Sequence, residues 1–303
     1  MGETGKGIRA VALVGPAGAG KTSLAEAMLF ASGAIPRQGA VAQGTSVGDA
    51  TPEARARGGS TELNLLRLDF LGDRFALIDA PGAAGFAVDA ARGVAAADLA
   101  IVVADPDPER APLAEPALRH LEALGVPHVL FINKIDQGRG SIRALLAAFQ
   151  PLSQAALVAR QIPIREGDSV TGFVDLALER AWRYTPGKPS ERAELPAALA
   201  EREKADRFHM MEQLADHDDT LLEQLLMDET PDVATVLADC ARELGENLVV
   251  PMLFGSAANG FGVRRLLKLL RHETPAPAAA AARLGVEGPG AYVMKISHAG
   301  TVG

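Results

Sequence analysis

The stretch Gly15-Pro16-Ala17-Gly18-Ala19-Gly20-Lys21-Thr22 matches G-x-x-x-x-G-K-[ST], the phosphate-binding P-loop. An apolar run, Ile8 to Val14, precedes it and reads as a buried strand. Ser23 to Phe30 follows and reads as a helix, which completes the strand–loop–helix context of the motif. Gly15, Gly18 and Gly20 let the backbone wrap closely around an anion. The N–H groups around Ala19 and the helix N-terminus then face the phosphates. Lys21 can reach the β- and γ-phosphates, and the Thr22 hydroxyl can ligate Mg²⁺. This stretch alone leaves open which nucleotide binds and whether it is hydrolysed.

Downstream, Leu63 to Phe70 and Arg74 to Ile78 read as strands joined through Leu71-Gly72-Asp73, a hairpin signal. The second ends in Asp79-Ala80-Pro81-Gly82, a D-x-x-G. Asp79, at a strand's C-terminal end, can hold Mg²⁺ through water, and Gly82 lets its backbone N–H approach the γ-phosphate. Leu99 to Ala104 and His128 to Ile132 are continuous apolar runs. They alternate with helical patterns at Phe86 to Ala96, Pro112 to Leu124 and Gly138 to Phe149. Strands apolar on both faces and alternating with helices indicate a mainly parallel sheet with helices on both faces. The last strand feeds Asn133-Lys134-Ile135-Asp136. Asp136 can accept from the N1–H and N2–H₂ groups of guanine together, an arrangement adenine lacks. A site built to hydrogen-bond one base can reject another by about 10⁴–10⁵-fold. The Lys134 stem can lie over the base, and Asn133 can tie this loop to the P-loop.

Between the first helix and the hairpin, Gly33 to Gly59 lacks periodicity and reads as a mobile loop. It carries Arg55 and Arg57, with Ser60 just beyond. It reads either as a solvated linker or as a switch loop that closes over the γ-phosphate. From about 157 to 245 lies an α+β insertion. Its expected strands are Val158 to Pro163, Gly172 to Leu178 and Trp182 to Tyr184, and its expected helices are Pro196 to His217, Leu221 to Met227 and Val233 to Leu244. Asp216, Asp218 and Asp219 sit at a helix junction, where capping explains them best. The chain returns to the sheet at Leu248 to Phe254, followed by Gly255-Ser256-Ala257, where a backbone N–H can meet the guanine O6. Val263 to Arg271 reads as a closing helix, Thr274 to Leu284 as a Pro/Ala linker, and Gly290 to His298 as a new strand. That strand has nothing after it to pair with, so the expectation is an N-terminal piece of a longer protein.

The 303 residues suit more than one unit at about 100–200 residues per domain. Hydrophobic residues make up 48% and charged residues 22%, as in an ordinary globular protein. A net charge of −8 argues against a broad basic surface for DNA or anionic membrane. No apolar run approaches the ~18 residues of a membrane span. Cys240 is the one cysteine in the sequence and lies in a helical pattern, so it reads as a buried, inert thiol in a reducing compartment. A cytoplasmic monomer is the expectation.

The order P-loop, switch loop, D-x-x-G, N-K-x-D, insertion, G-S-A resembles the GTPase domain of bacterial elongation factor G, and more narrowly its divergent elongation-factor-G-like branch. The insert at Gln161 to Ile164 through Val174 to Leu176 and the strand Val250 to Ala257 carry the likeness, and Ala291 to Ile296 looks like the first strand of the family's β-barrel second domain. The resemblance implies a P-loop GTPase fold with an insertion subdomain and a truncated barrel start. Residues 1–275 would form the GTP-binding domain, and 276–303 a linker and first strand. It implies GTP or GDP with Mg²⁺ as ligands and the ribosome as partner. The nucleotide-binding residues carried over are Lys21, Thr22, Asp79, Gly82, Asn133, Lys134, Asp136, Ser256 and Ala257, beside P-loop Gly15, Gly18, Ala19 and Gly20. The metal set is Thr22, Ser60 and Asp79, with Ser60 standing where the family has a threonine.

Departures cluster at the chemistry. The family's catalytic histidine directly follows D-x-P-G, and that position is Ala83. The next two positions are Ala84 and Gly85, Gly59 replaces an isoleucine of the family's hydrophobic gate, and an acidic P-loop position is Gly18. A water-orienting side chain contributes about 10²–10⁴-fold to such reactions, and a methyl group cannot do that work. Two readings follow: a ribosome-associated translational GTPase with weak hydrolysis, or a non-hydrolysing GTP-dependent binding module. A substitute group could come from Arg55, Arg57 or the ribosome. Asn133 to Asp136 conflict with a P-loop kinase or ATPase.

Overall fold

The computed structural model describes residues 7–49, 51–137, 141–185, 187–288 and 291–296. β1 (Arg9–Val14) leads through the P-loop into α1 (Lys21–Ser32). After α2 (Pro52–Arg57) comes a hairpin of β2 (Asn64–Phe70) and β3 (Asp73–Asp79). Its turn residues Leu71 and Gly72 both have positive φ, the backbone twist a tight two-residue hairpin needs. Strands and helices then alternate: α3 (Ala87–Ala95), β4 (Leu99–Ala104), α4 (Glu115–Leu124), β5 (His128–Ile132), α5 (Ile142–Phe149) and β6 (Ala156–Ala159). A second unit contributes β7 (Gln161–Glu166), β8 (Ser169–Asp175), β9 (Arg180–Arg183), β10 (Glu191–Ala193), α6 (Ala200–Ala215), α7 (Asp219–Leu226) and α8 (Val233–Gly245). The chain closes with β11 (Val249–Phe254), α9 (Val263–Glu273) and α10 (Pro277–Arg283).

The main sheet runs β2-β3-β1-β4-β5-β11-β6. Only the β2–β3 pairing is antiparallel; every other neighbour is parallel. Side chains alternate across the pleat, so each central strand feeds two cores. Leu99, Ile101 and Val103 of β4 pack with Leu24 and Met28 of α1 and Leu266 and Leu270 of α9. Ala100, Val102 and Ala104 pack on the other face with Leu118 and Leu121 of α4 and Leu145 of α5. This arrangement brings the P-loop, Asp79, Asn133 and Gly255 to the C-terminal ends of parallel strands, where open α/β sheets bind ligands.

The second unit has an antiparallel sheet in the order β10-β9-β8-β7. Ile162, Val174, Met210, Leu214, Val236 and Cys240 share its core with α6 and α8. Buried ion pairs fasten it to α9. The Arg160 guanidinium donates to both carboxylate oxygens of Glu273, at 3.0 and 3.1 Å, with both residues buried. Arg265 of α9 donates to the buried Asp175 at the end of β8. Glu273 and Asp175 together help hold the Arg160 pKa above its usual value against the cost of burial.

The structure changes several sequence expectations. The expected strand Val158 to Pro163 is two strands. β6 pairs in parallel with β11 at the edge of the main sheet, so the insertion begins near Gln161 rather than 157. Pro163 is tolerated because β7 is an edge of its own sheet. The long helix starts at Ala200, after a 3₁₀ turn at Ala197–Leu199. The expected helix from Gly138 is α5, which begins where Ser141 Oγ accepts from the Ala144 N–H at 3.1 Å; residues 138–140 lie outside the described residues. The Pro/Ala linker contains α10, whose Arg283 donates to the Ala95 and Ala97 carbonyls. The expected strand at Gly290 to His298 is not one in its described part, 291–296; its ends lie outside the described residues. In the acidic triplet, Asp218 caps α7 by accepting from the Leu221 N–H at 2.9 Å. No described helix is long and apolar enough to cross a membrane.

Candidate nucleotide site

The P-loop closes a tight ring around Lys21. Its Nζ donates to the Gly15 and Pro16 carbonyls, both at 3.0 Å. Burial lowers the Lys21 pKa, with Asp79 and Asp49 pulling the other way. Gly82 lies directly against this ring: a Cβ there would sit 2.2 Å from Lys21 Nζ and 2.8 Å from the Ala17 nitrogen. D-x-x-G therefore needs its glycine for close approach, whatever ligand is bound. Gly20 is fixed twice, by φ of 93° and by Asn133, whose Nδ2 would be 2.4 Å from a Cβ.

Thr22, Ser60 and Asp79 lie together. Thr22 Oγ1 donates to Asp79 Oδ2 at 2.7 Å and lies 3.1 Å from Ser60 Oγ. Asp79 is fully buried, and its Oδ1 has no hydrogen-bond partner. Desolvation pushes its pKa up to about 6, with the Thr22 bond and Lys21 opposing. A buried carboxylate with one orphaned oxygen, beside two hydroxyls, is a hard oxygen donor set that fits Mg²⁺. A second carboxylate enters from the loop: Asp49 is buried, accepts from Asn64 Nδ2 at 3.0 Å and leaves Oδ2 unpartnered.

At the other end, Asn133 is a bridge. Its Nδ2 donates to the Ala19 carbonyl at 2.9 Å, and its Oδ1 accepts from the Ala257 N–H at 2.9 Å. Lys134, at φ of 58°, turns its Nζ onto the Gly18 carbonyl (2.6 Å) and Asp105 (2.7 Å). Asp136 is exposed. The Ile135 N–H donates to the Gly255 carbonyl at 3.0 Å, and Ser256 Oγ accepts from Asn259 at 3.1 Å. The P-loop, the N-K-x-D loop and the G-S-A loop are thus one bonded unit.

The loop from Gly33 to Gly59 is more ordered than its composition suggests. Glu26, fully buried on α1, accepts from the Gly39 N–H at 3.0 Å and the Val47 N–H at 2.5 Å. Thr51 caps α2. The loop walls a cleft of about 710 Å³ whose lining includes Lys21, Thr22, Gln38, Arg57, Ser60 and Ala83. Arg57 stacks over Phe86, 5.3 Å from the ring centre. Among the described residues that line the cleft there is no His, Asp or Glu.

Comparison with known proteins gives this geometry a family. The profile of the elongation factor Tu GTP binding domain matches residues 6–276. The chain belongs to this family of translational GTPase domains. The GTPase domain is 38% identical over 295 residues to an elongation factor G-like protein of Synechocystis sp., covering 97% of this chain and 44% of that protein. It is 31% identical over 274 residues to elongation factor G 2 of Streptomyces coelicolor, covering 89% and 40%. A crystal structure from Thermus thermophilus superposes with a TM-score of 0.84 at 32% identity, over 93% of this chain and 42% of that one. The chain therefore spans less than half the length of these relatives. The elongation-factor-G-like resemblance and the P-loop GTPase fold hold, and membership implies binding of GTP and GDP.

Sequence reasoning missed four residues that organise this GTPase domain's cleft: Glu26, Gln38, Asp49 and Asp105. Glu26 is one polar residue within the first helix, and only its long-range loop contacts show its role. Asp105 had a signal, since it directly follows β4 as Asn133 directly follows β5. Cys240 is buried, its thiol pushed up to about 12 by desolvation, and so is inert.

Proposed function

We propose that this domain binds Mg²⁺·GTP and GDP selectively, serves an elongation-factor-G-like factor on the ribosome, and hydrolyses GTP slowly. One observation carries the selectivity: Asn133 welds the N-K-x-D loop to both the P-loop and the G-S-A loop. In this reading the Asp136 carboxylate, exposed at the end of that loop, accepts from guanine N1–H and N2–H₂. Ala257 and its neighbours face O6. Lys21 and the P-loop amides hold the phosphates. Thr22 and Ser60 would ligate Mg²⁺, and Asp79 would complete its shell, directly or through water. The ion would neutralise the phosphate oxygens and the buried Asp79.

Slow hydrolysis rests on the cleft lining. Ala83 offers only a methyl group, and no described lining residue is a His, Asp or Glu. The polar side chains of the described lining, besides Lys21 and Arg57, are the neutral ones of Thr22, Ser23, Gln38 and Ser60, and none of these is a base that takes a proton from water as an imidazole would. Arg57 reaches the cleft and, besides Lys21, is the one cation in the described lining that could offset charge at the phosphate end. The same lining supports the second reading, a GTP-dependent binding module without turnover. Residues 1–275 act as the GTP-binding domain with its insertion, and the factor works as a cytoplasmic monomer without DNA or membrane.

Nucleotide competition tests the base assignment. GTP and GDP should displace a fluorescent guanine nucleotide while ATP does not. In Asp136→Asn, a carboxamide N–H replaces an acceptor, so GTP affinity should fall at least ~100-fold, by the logic that an unpaired polar group rejects its old partner, while XTP, with a carbonyl at C2, binds better than GTP. Equal affinity of the native protein for ATP and GTP would refute it.

A further inference from the structure

A ring of contacts joins four loops beside the cleft. Starting at the P-loop, the Ala19 carbonyl accepts from Asn133, and Asn133 accepts from the Ala257 N–H. The Ala257 carbonyl in turn accepts from Gln38 Nε2 at 2.8 Å. Gln38 adjoins Gly39, whose N–H is held by Glu26, and Glu26 lies on α1, which starts at the P-loop. Residues 38–42 form one wall of the cleft, and Ala258 lines it from the opposite loop. The strap is therefore pinned on one side and latched on the other.

The two attachments differ. At Glu26 the strap is packed as well as bonded: a Cβ on Gly39 would lie 2.5 Å from the Thr45 carbonyl and 2.7 Å from Glu26 Oε2. Glu26 itself is fully buried. At the base loop the strap is held through one half-buried side chain and one hydrogen bond. The rest of the ring is backbone secured by Asn133, which is 2% exposed. Gln38 is the link that can open without unfolding anything.

We propose that Gln38 is the latch of a nucleotide gate: its bond to the Ala257 carbonyl closes the strap 38–42 across the cleft and sets how fast guanine nucleotide enters and leaves. The latch rests on the guanine-nucleotide reading of the cleft. Because its bond runs to a backbone carbonyl of the base loop, it acts on the barrier and not on the bound state. Gln38 is a positioning residue for the strap. Glu26 is the hinge about which the strap turns.

Stopped-flow measurement with mant-GDP and mant-GTP on the full chain tests this, comparing the native protein with Gln38→Met, which keeps length and loses the donor, and Gln38→Glu, which sets a carboxylate against the carbonyl. Loss of one such bond should raise both association and dissociation rates about 3- to 10-fold. The dissociation constant should stay within about twofold, since the bond's worth enters both rates alike, and the melting temperature should fall by only about 1–4 °C, the loss of a single bond. A rise in dissociation alone, with affinity weakened by the same factor, would make Gln38 a ligand contact and overturn the latch. Unchanged rates in both variants would overturn it as well, while leaving the nucleotide reading intact. A native protein that takes up neither nucleotide would overturn both.

Discussion

Replacing Asn133 by alanine should be among the costliest changes a single side chain can suffer here. The side chain is 2% exposed and bonds to two backbone groups on different loops, the Ala19 carbonyl and the Ala257 N–H. Alanine leaves both without their partner. An unsatisfied buried polar group costs about 1–3 kcal/mol, so the pair amounts to about 2–6 kcal/mol, with the lower half expected because water can reach in from the cleft. Urea unfolding followed by Trp182, the one tryptophan in the sequence, reads this directly. The nucleotide-free variant should lose about 2–4 kcal/mol. GDP should then restore little, since stabilisation by ligand follows its affinity and the base loop is no longer held in place. Asn133→Asp should be at least as damaging at neutral pH, because it keeps the acceptor for Ala257 but turns an oxygen toward the Ala19 carbonyl. If Asn133→Ala unfolds within about 0.5 kcal/mol of the native protein, the range of an ordinary surface substitution, and GDP still stabilises it fully, the bridge is not what organises the site.

Two further outcomes test the fold that carries it. Arg160→Ala strands the buried Glu273 carboxylate and should cost about 3–5 kcal/mol in denaturant unfolding, whereas Arg160→Met with Glu273→Leu should recover most of that. Glu243 is fully buried, and desolvation pushes its pKa up to about 8 from 4.5 despite Arg242 at 3.1 Å. The folded state therefore binds this proton more tightly than the unfolded chain, so the contribution to stability is complete below about pH 4.5 and is lost as pH rises to about 8. Glu243→Gln should flatten that part of the stability–pH curve, and an unaltered slope would rule out the assignment.

The parallel sheet was legible because its strands are apolar on both faces and end in short polar motifs. Leu99–Ala104 and His128–Ile132 could scarcely be anything else, and Asn133 and Gly255-Ser256 follow their strands directly, as Asp79 ends its own. Boundaries failed where partner choice, not local pattern, decides. Val158 to Pro163 reads as one strand, yet Ala156–Ala159 pairs with β11 while Gln161–Glu166 pairs with β8. The loop from Gly33 to Gly59 looked mobile because the group that orders it, Glu26, lies on another element and contacts backbone N–H groups, which leave no trace in side-chain composition. Gln38 is invisible for the same reason: its partner is a backbone carbonyl 219 residues away. Ala83 is the opposite case. Its position was readable from the motif, and the structure adds that the described lining of the phosphate cleft holds no carboxylate or imidazole, while His120 shares a second pocket with Ala83.

Single-turnover GTP hydrolysis tests the separation of binding from chemistry most directly. Measured with saturating protein, with and without ribosomes, beside Ala83→His, the native protein should bind GTP yet hydrolyse it slowly. Ala83→His should raise the rate at least ~10-fold when ribosomes are present, given the ~10²–10⁴-fold worth of a well-placed water-orienting group. Rapid, ribosome-stimulated hydrolysis by the native protein, with no gain in Ala83→His, would contradict the account.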